Sequence, residues 1–239
     1  MKKLVTVIVV GIISLAIFFS FIYNEPEFRY YLGTSTGLKD KPVLTDNNFT
    51  IEGVIVGIQA STALTFIEND ILFLEKETGK IRHIENNILV DEPVWDFNVK
   101  KEGCECYTES GLLGIISVDS NIYVYVTEEL DSENSIVENR IYQFTWKNNK
   151  LQNQLLLNIL PGDGNMHHGG AMVADYNKNI YAVIGDQTLE TELQNFNNDL
   201  ISDAGIILRV GIDNKVKSPS LSDFPNDHYY GVGIRNSFG

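Results

Sequence analysis

A chain of 239 residues that is 44% hydrophobic can bury a sizeable core, and its length allows one large domain or two small ones. Its 18 Lys and Arg against 32 Asp and Glu give a formal charge of −14, a field that repels phosphate backbones and anionic lipid head groups. Nucleic acid is therefore not an expected partner.

The first feature in chain order is the uncharged run Leu4 to Tyr23, "LVTVIVVGIISLAIFFSFIY", behind Met1-Lys2-Lys3. As a helix it would reach about 30 Å, the thickness of a bilayer core. A secretory signal has a shorter apolar region, about 7 to 15 residues, and a small-residue cleavage site, which does not follow here. Residues 1–23 are thus expected to be one uncleaved N-terminal transmembrane helix, with cleavage and secretion as the alternative. The two lysines predict a cytoplasmic N-terminus and a membrane-anchored domain facing outside the cytoplasm. Residues 24–48 are polar, with Gly33, Thr34, Ser35, Thr36 and Gly37 clustered, and read as a linker.

From 49 to 239 the chain breaks into short apolar runs of period two, and no helical period of 3.6 appears. Three runs repeat a polar residue followed by Ile: "DILFLE", "NIYVYV" and "NIYAVIG", beginning at Ile71, Ile122 and Ile180. Their spacing of about 50 to 60 residues matches the blade length of a β-propeller. Gly, Asn and Asp in "EKETGKIRHI", "FTWKNNKLQN" and "RVGIDNKVKS" suit the positive φ of hairpin turns. The predicted class is all-β, built of antiparallel four-stranded blades, with a two-sheet sandwich as the alternative.

Both cysteines lie in "GCEC", Cys104 and Cys106. One intervening residue is too little for a four-ligand zinc site without help from elsewhere, and leaves either two thiols or a local redox pair. Two long stretches, 127 to 139 and 187 to 203, read as connections leaving the second strand of a blade. Loops of that length are often functional, and their acidic composition fits solvated decoration equally well.

"NMHHGGAMVADYNKNIYAVIGDQ", residues 165 to 187, holds two of the four histidines. A hairpin turning at Tyr176 and Asn177 sets His167 opposite Asp186, within reach of a side-chain hydrogen bond. A carboxylate on one imidazole nitrogen fixes the tautomer and makes the other nitrogen the better base. His168 would point to the other side of a strand, so one histidine is favoured. Gly169 and Gly170 leave room for something bulky at the backbone. The alternative is that His167 satisfies a loop carbonyl. In a propeller the innermost strands all start on one face near the axis. Glu109-Ser110, Met166-His167 and Arg235-Asn236 each precede such a strand and would therefore converge on one binding site.

At "TALTFIENDILFLEKETGKIRHI", "ESGLLGIISV", "HHGGAMV" with "YAVIGDQ", "AGIILRV" and "YYGVGIRNSFG", the chain resembles the soluble aldose sugar dehydrogenases that use pyrroloquinoline quinone (PQQ), the glucose/sorbosone dehydrogenase family of six-bladed propellers. The likeness runs from about residue 52 to the end. It implies an oxidoreductase that removes hydride from a sugar C1. In that scheme His167 is the catalytic base, Asp186 orients it, and Arg235 and Asn236 contact the cofactor and stabilise developing negative charge. Glu109 stands where relatives usually carry a cofactor-binding glutamine, and a carboxylate there repels an anionic cofactor unless protonated or calcium-bridged. Ser237 and Ala171 are further departures. The six-bladed β-propeller would be incomplete, with about four blades, and a truncated copy is expected. Calcium is implied as a second cofactor, its ligands expected beyond residue 239. The implied partner is a small-molecule sugar, and no motif indicates the electron acceptor. A non-catalytic ligand-binding propeller ectodomain is the alternative function. A calcium-dependent hydrolase would need an acidic ligand cluster that the sequence does not offer.

Overall fold

The computed structural model describes residues 44–51, 53–55, 57–58, 60–99, 109–133, 136–164, 166–187, 203–211 and 228–237. The chain divides into two units, Met1–Gly57 and Ile58–Gly239. In the first, Asp46 forms a turn in which its carboxylate accepts from the Asn48 backbone N–H at 2.9 Å. The expected anchor, the cysteine pair and most of the 187–203 connection lie outside the described residues. Among the described residues no helix is long and apolar enough to cross a membrane.

The second unit is all β among its described residues. The first sheet contains β1 (Ser61–Ile67), β2 (Asp70–Glu75), β3 (Lys80–Glu85) and β4 (Ile88–Leu89) in that order, with β5 (Trp95–Asp96) also paired to β3. The second runs β6 (Leu112–Val118), β7 (Asn121–Asp131), β8 (Ile136–Lys147), β9 (Lys150–Pro161). The third runs β10 (Met172–Ala174), β11 (Ile180–Ile184), β12 (Ile206–Arg209), β13 (Tyr229–Val232). Every pairing is antiparallel, and the repeated apolar runs at Ile71, Ile122 and Ile180 are all second strands of their sheets. The described residues form three sheets.

Turn chemistry sets these hairpins. Asn86-Asn87 and Asn148-Asn149 are all at positive φ (52°, 63°, 54° and 56°), as a two-residue type I′ turn requires. Alternation along β7 then explains why the middle sheet can be buried on both faces. Ile122, Val124 and Val126 pack with Leu72, Leu74 and Ile81 of the first sheet and with Phe97 just after β5. On the opposite face Tyr125 joins Ile141, Leu160, Ala182, Ile184, Ile206 and Leu208 in a core shared with the third sheet.

The stretch 127 to 139 is not a loop. Thr127 pairs with Asn139, Glu128 with Glu138 and Glu129 with Val137, extending the β7–β8 hairpin, with a register shift before Asp131 meets Ile136. Two glutamates directly opposed would repel, but Arg140 lies between them, 3.4 Å from Glu128 and 2.9 Å from Glu138. The Tyr142 hydroxyl also donates to Glu128 at 2.6 Å. Glu128 and Glu138 face this cation while Thr127, Val137 and Asn139 are buried, so composition concealed a strand pattern.

The first strands of successive sheets lie side by side. Thr62 on β1 donates to Leu112 O on β6 at 2.7 Å, and a Cβ added to Gly114 on β6 would collide with Gly170 O just before β10.

Candidate functional site

The hairpin β10–β11 brings up the first half of the site, but not in the expected register. Met172 pairs with Ala182, Val173 with Tyr181 and Ala174 with Ile180, a ladder that if extended would set Gln187, not Asp186, against His167. The ladder does not extend that far. β10 starts only at Met172, and His167, Gly169 and Gly170 have φ of 58°, 75° and 104°, so the chain before it is a kinked loop. That kink turns the His167 ring onto Asp186: Nδ1 lies 2.6 Å from Oδ1, with the two residues only 2% and 5% exposed. A carboxylate can only accept, so His167 carries its proton on Nδ1 when neutral and leaves Nε2 with a lone pair.

The glycines serve the fold first. A Cβ at Gly169 would collide with Val183 O and one at Gly170 with the Leu113 side chain, so their bare backbone admits neighbouring strands of this chain and not primarily a ligand. Gly185 has a similar role: a Cβ there would collide with His167 O and lie 2.6 Å from Arg235 O. The third expected segment arrives through this gap, where the Asp186 backbone N–H donates to Arg235 O at 2.9 Å.

Glu109 completes the junction. Its Oε2 accepts from the His167 backbone N–H and, at 3.0 Å, from Asn236 Nδ2. The segments before β6, before β10 and after β13 therefore meet, bringing Glu109, His167, Asp186, Asn236 and the Arg235 backbone together. The Arg235 side chain is exposed and makes no hydrogen bond or ion pair among the described residues. Oδ1 of Asn236 is buried and has no hydrogen-bond partner among the described residues. Glu109 also lines a cleft of about 530 Å³ between the first strands, with Thr62, Lys76, Ile115, Gly169 and Met172 on its walls.

Sequence reasoning passed over what holds the histidine loop from behind. His168 is 1% exposed, with Nε2 at 2.9 Å from Gly164 O and Nδ1 at 3.3 Å from Asn139 Oδ1. Thr127 donates to the same Asn139 oxygen at 2.7 Å, and Asn139 Nδ2 donates to Pro161 O at 2.6 Å. The Tyr125 hydroxyl donates to His168 O at 2.9 Å, and complete burial pushes that phenol well above the ordinary tyrosine range. Buried polar groups hydrogen-bonded in this way fix a unique loop position. Their signal was the buried alternation through 127 to 139, hidden by the glutamates. Two other histidines also have aspartate neighbours, His83 with Asp70 at 2.9 Å and His228 with Asp203 at 3.7 Å.

Three antiparallel sheets, with the segments before β6, before β10 and after β13 converging on a buried imidazole–carboxylate pair, define a blade-built all-β protein with its polar junction at the strand ends. The glucose/sorbosone dehydrogenase family pattern matches residues 58–239, and the chain belongs to that family. Solved structures share the fold, which is that of the propeller sugar dehydrogenases. A glucose dehydrogenase-type oxidoreductase from Thermus thermophilus is 23% identical with a TM-score of 0.61, over 79% of this chain and 56% of that one. The PQQ-bound aldose sugar dehydrogenase of Streptomyces coelicolor is 22% identical with a TM-score of 0.58, over 78% of this chain and 54% of that one. The soluble aldose sugar dehydrogenase of Escherichia coli, in its apo form, is 16% identical with a TM-score of 0.55, over 75% and 52%. The chain thus spans little more than half the length of these structures. No curated protein matches it in sequence.

Proposed function

We propose that the protein is a sugar dehydrogenase in which His167 takes the proton of the sugar C1 hydroxyl. The observation that carries this reading is the buried His167–Asp186 pair, 2.6 Å apart, at the meeting point of three separate segments. Asp186 holds the Nδ1 proton and the ring orientation, so Nε2 is the only imidazole atom able to accept from a substrate hydroxyl. As that proton is taken, the imidazolium forms against a carboxylate already in contact, which stabilises the charge without reorganisation.

The reading includes PQQ, the group bound by the Streptomyces coelicolor relative. The residues here fit it at one edge: the exposed Arg235 guanidinium is a permanent cation free to meet an anionic oxygen, and Lys76 lines the adjoining cleft. When bound, PQQ supplies the acceptor for the hydride from C1. Glu109, already accepting two hydrogen bonds from its own chain, serves to tie His167 to Asn236 instead of contacting the cofactor. Calcium belongs to the same reading, although no group of three His, Cys, Asp or Glu able to hold a metal occurs among the described residues.

The test is dye reduction by aldoses with PQQ and calcium supplied, comparing the parent with His167→Ala. General-base catalysis is worth about 10² to 10⁴-fold, so a loss of that size is expected. Equal rates in both would remove His167 from the chemistry, and sugar binding without turnover in the parent would establish a binding module instead. We propose further, on the uncharged run Leu4 to Tyr23 behind two lysines, that the domain is held outside the cytoplasm by a membrane anchor. Recovery of the chain in the soluble cytoplasmic fraction would overturn that.

A further inference from the structure

We propose that Gln187 is a positioning residue for the His167–Asp186 pair, and that it works by clamping Gly164, a residue that His168 holds from the other side. The proposal deepens the assignment of His167 as the base and rests on it.

Each member of the pair is followed in the chain by a buried polar residue: His168 after His167 and Gln187 after Asp186, 1% and 9% exposed. Both reach the short segment that follows β9. The Gly164 backbone N–H donates to Gln187 Oε1 at 3.3 Å, and Gly164 O, which can only accept, takes a proton from His168 Nε2 at 2.9 Å. The residue after the carboxylate and the residue after the base are thus joined through one glycine. Gln187 Nε2 also donates to Pro161 O, which accepts in addition from Asn139 Nδ2 at 2.6 Å, so the segment is itself tied to β8 of the middle sheet. Backbone strain shows what the clamp opposes. His167 and Gln187 both have φ of 58°, a left-handed conformation that such residues keep only where their surroundings impose it. Released, the two backbones would relax to negative φ and turn the imidazole and the carboxylate out of register. A Cβ at Gly164 would lie 2.5 Å from both Cβ and O of Gln187, so only glycine lets the segment come this close. Gln187 acts on the chemistry through the pair, by keeping Nδ1 against Oδ1.

The test compares the full chain with Gln187→Met, which keeps the bulk of the side chain and loses its hydrogen bonds. With glucose as substrate and PQQ and calcium supplied, a misplaced base should lower kcat by about 10- to 100-fold while KM stays within about twofold. A second readout needs no turnover: nitrogen NMR of the histidine-labelled chain, with the His167 signal assigned by its loss in His167→Ala. Neutral His167 is expected to carry its proton on Nδ1 in the parent and to divide between the two tautomers in Gln187→Met. Because Gln187 and His168 both act through Gly164, the double variant Gln187→Met/His168→Phe should lose no more than about twofold beyond the worse single variant, whereas independent roles would multiply. Should Gln187→Met fail to fold, His168→Phe carries the same tautomer measurement. An unchanged kcat or an unchanged tautomer in the folded variant, or losses that multiply in the double variant, overturns the clamp and leaves His167 as the base. Equal rates in the parent and His167→Ala reject the base assignment itself and the proposal with it.

Discussion

Asp186 does more for His167 than lie near it. It is the only described side chain on Nδ1, and without it the ring could take either tautomer or rotate away. Asp186→Asn leaves an amide of the same shape that can present its NH₂ to Nδ1 and so favour the wrong tautomer. The expected outcome is a fall in kcat/KM of about 10² to 10⁴-fold with little change in melting temperature, checked by steady-state kinetics beside thermal unfolding. A loss of folding without that kinetic effect would make the pair structural. The residue types of this site were legible in the sequence, since His167, Asp186, Glu109 and Asn236 all meet. The local geometry was not, because it depends on positive φ at His167, a residue that a strand pattern places in the ladder. Neither was Gly185, whose missing side chain lets the His167 and Arg235 segments meet.

Among the elements, the third sheet carries a titration that can be read from outside. Burial alone would raise the Asp203 carboxyl, but His228 and the Tyr229 hydroxyl, which donates to it at 2.5 Å, outweigh that and hold it below the ordinary range. Burial, and then the Asp203 charge, push Tyr229 up correspondingly. A depressed carboxyl stabilises the fold above its unfolded pKa of about 3.9 and loses that contribution as pH falls through the lower folded value. The melting temperature of the parent should therefore drop below about pH 4, and Asp203→Asn should flatten that acid limb while lowering stability at neutral pH. Parallel acid limbs in the two proteins would contradict this. Strand positions were largely legible, because apolar alternation and Asn-rich turns are local signals. The β7–β8 extension was not, because Glu128 and Glu138, directly opposed in it, are paired with Arg140, a residue outside the stretch.

For the molecule as a whole, stability depends on how closely the first strands approach. Gly114 on β6 faces Gly170 O, and a methyl group there has no space. Gly114→Ala should cost about 1–3 kcal/mol through overpacking, read as a lower urea midpoint with an unchanged m value. Because the cleft and the Glu109 junction lie along the same strands, sugar affinity should fall with it. A neutral effect on both would show that the sheets can separate freely.

Composition, the period of two and the spacing of three Ile-led runs were sufficient for an all-β chain of repeated antiparallel sheets, because each of these is a property of neighbouring residues. Family membership was equally legible, carried by short motifs in order. What only the tertiary structure decided is which polar atoms are used up and which are left over. Glu109 is spent on His167 and Asn236, and His168 on Gly164 and Asn139. Hydrogen-bond partners separated by tens of residues are chosen by packing, and no pattern along the chain specifies them.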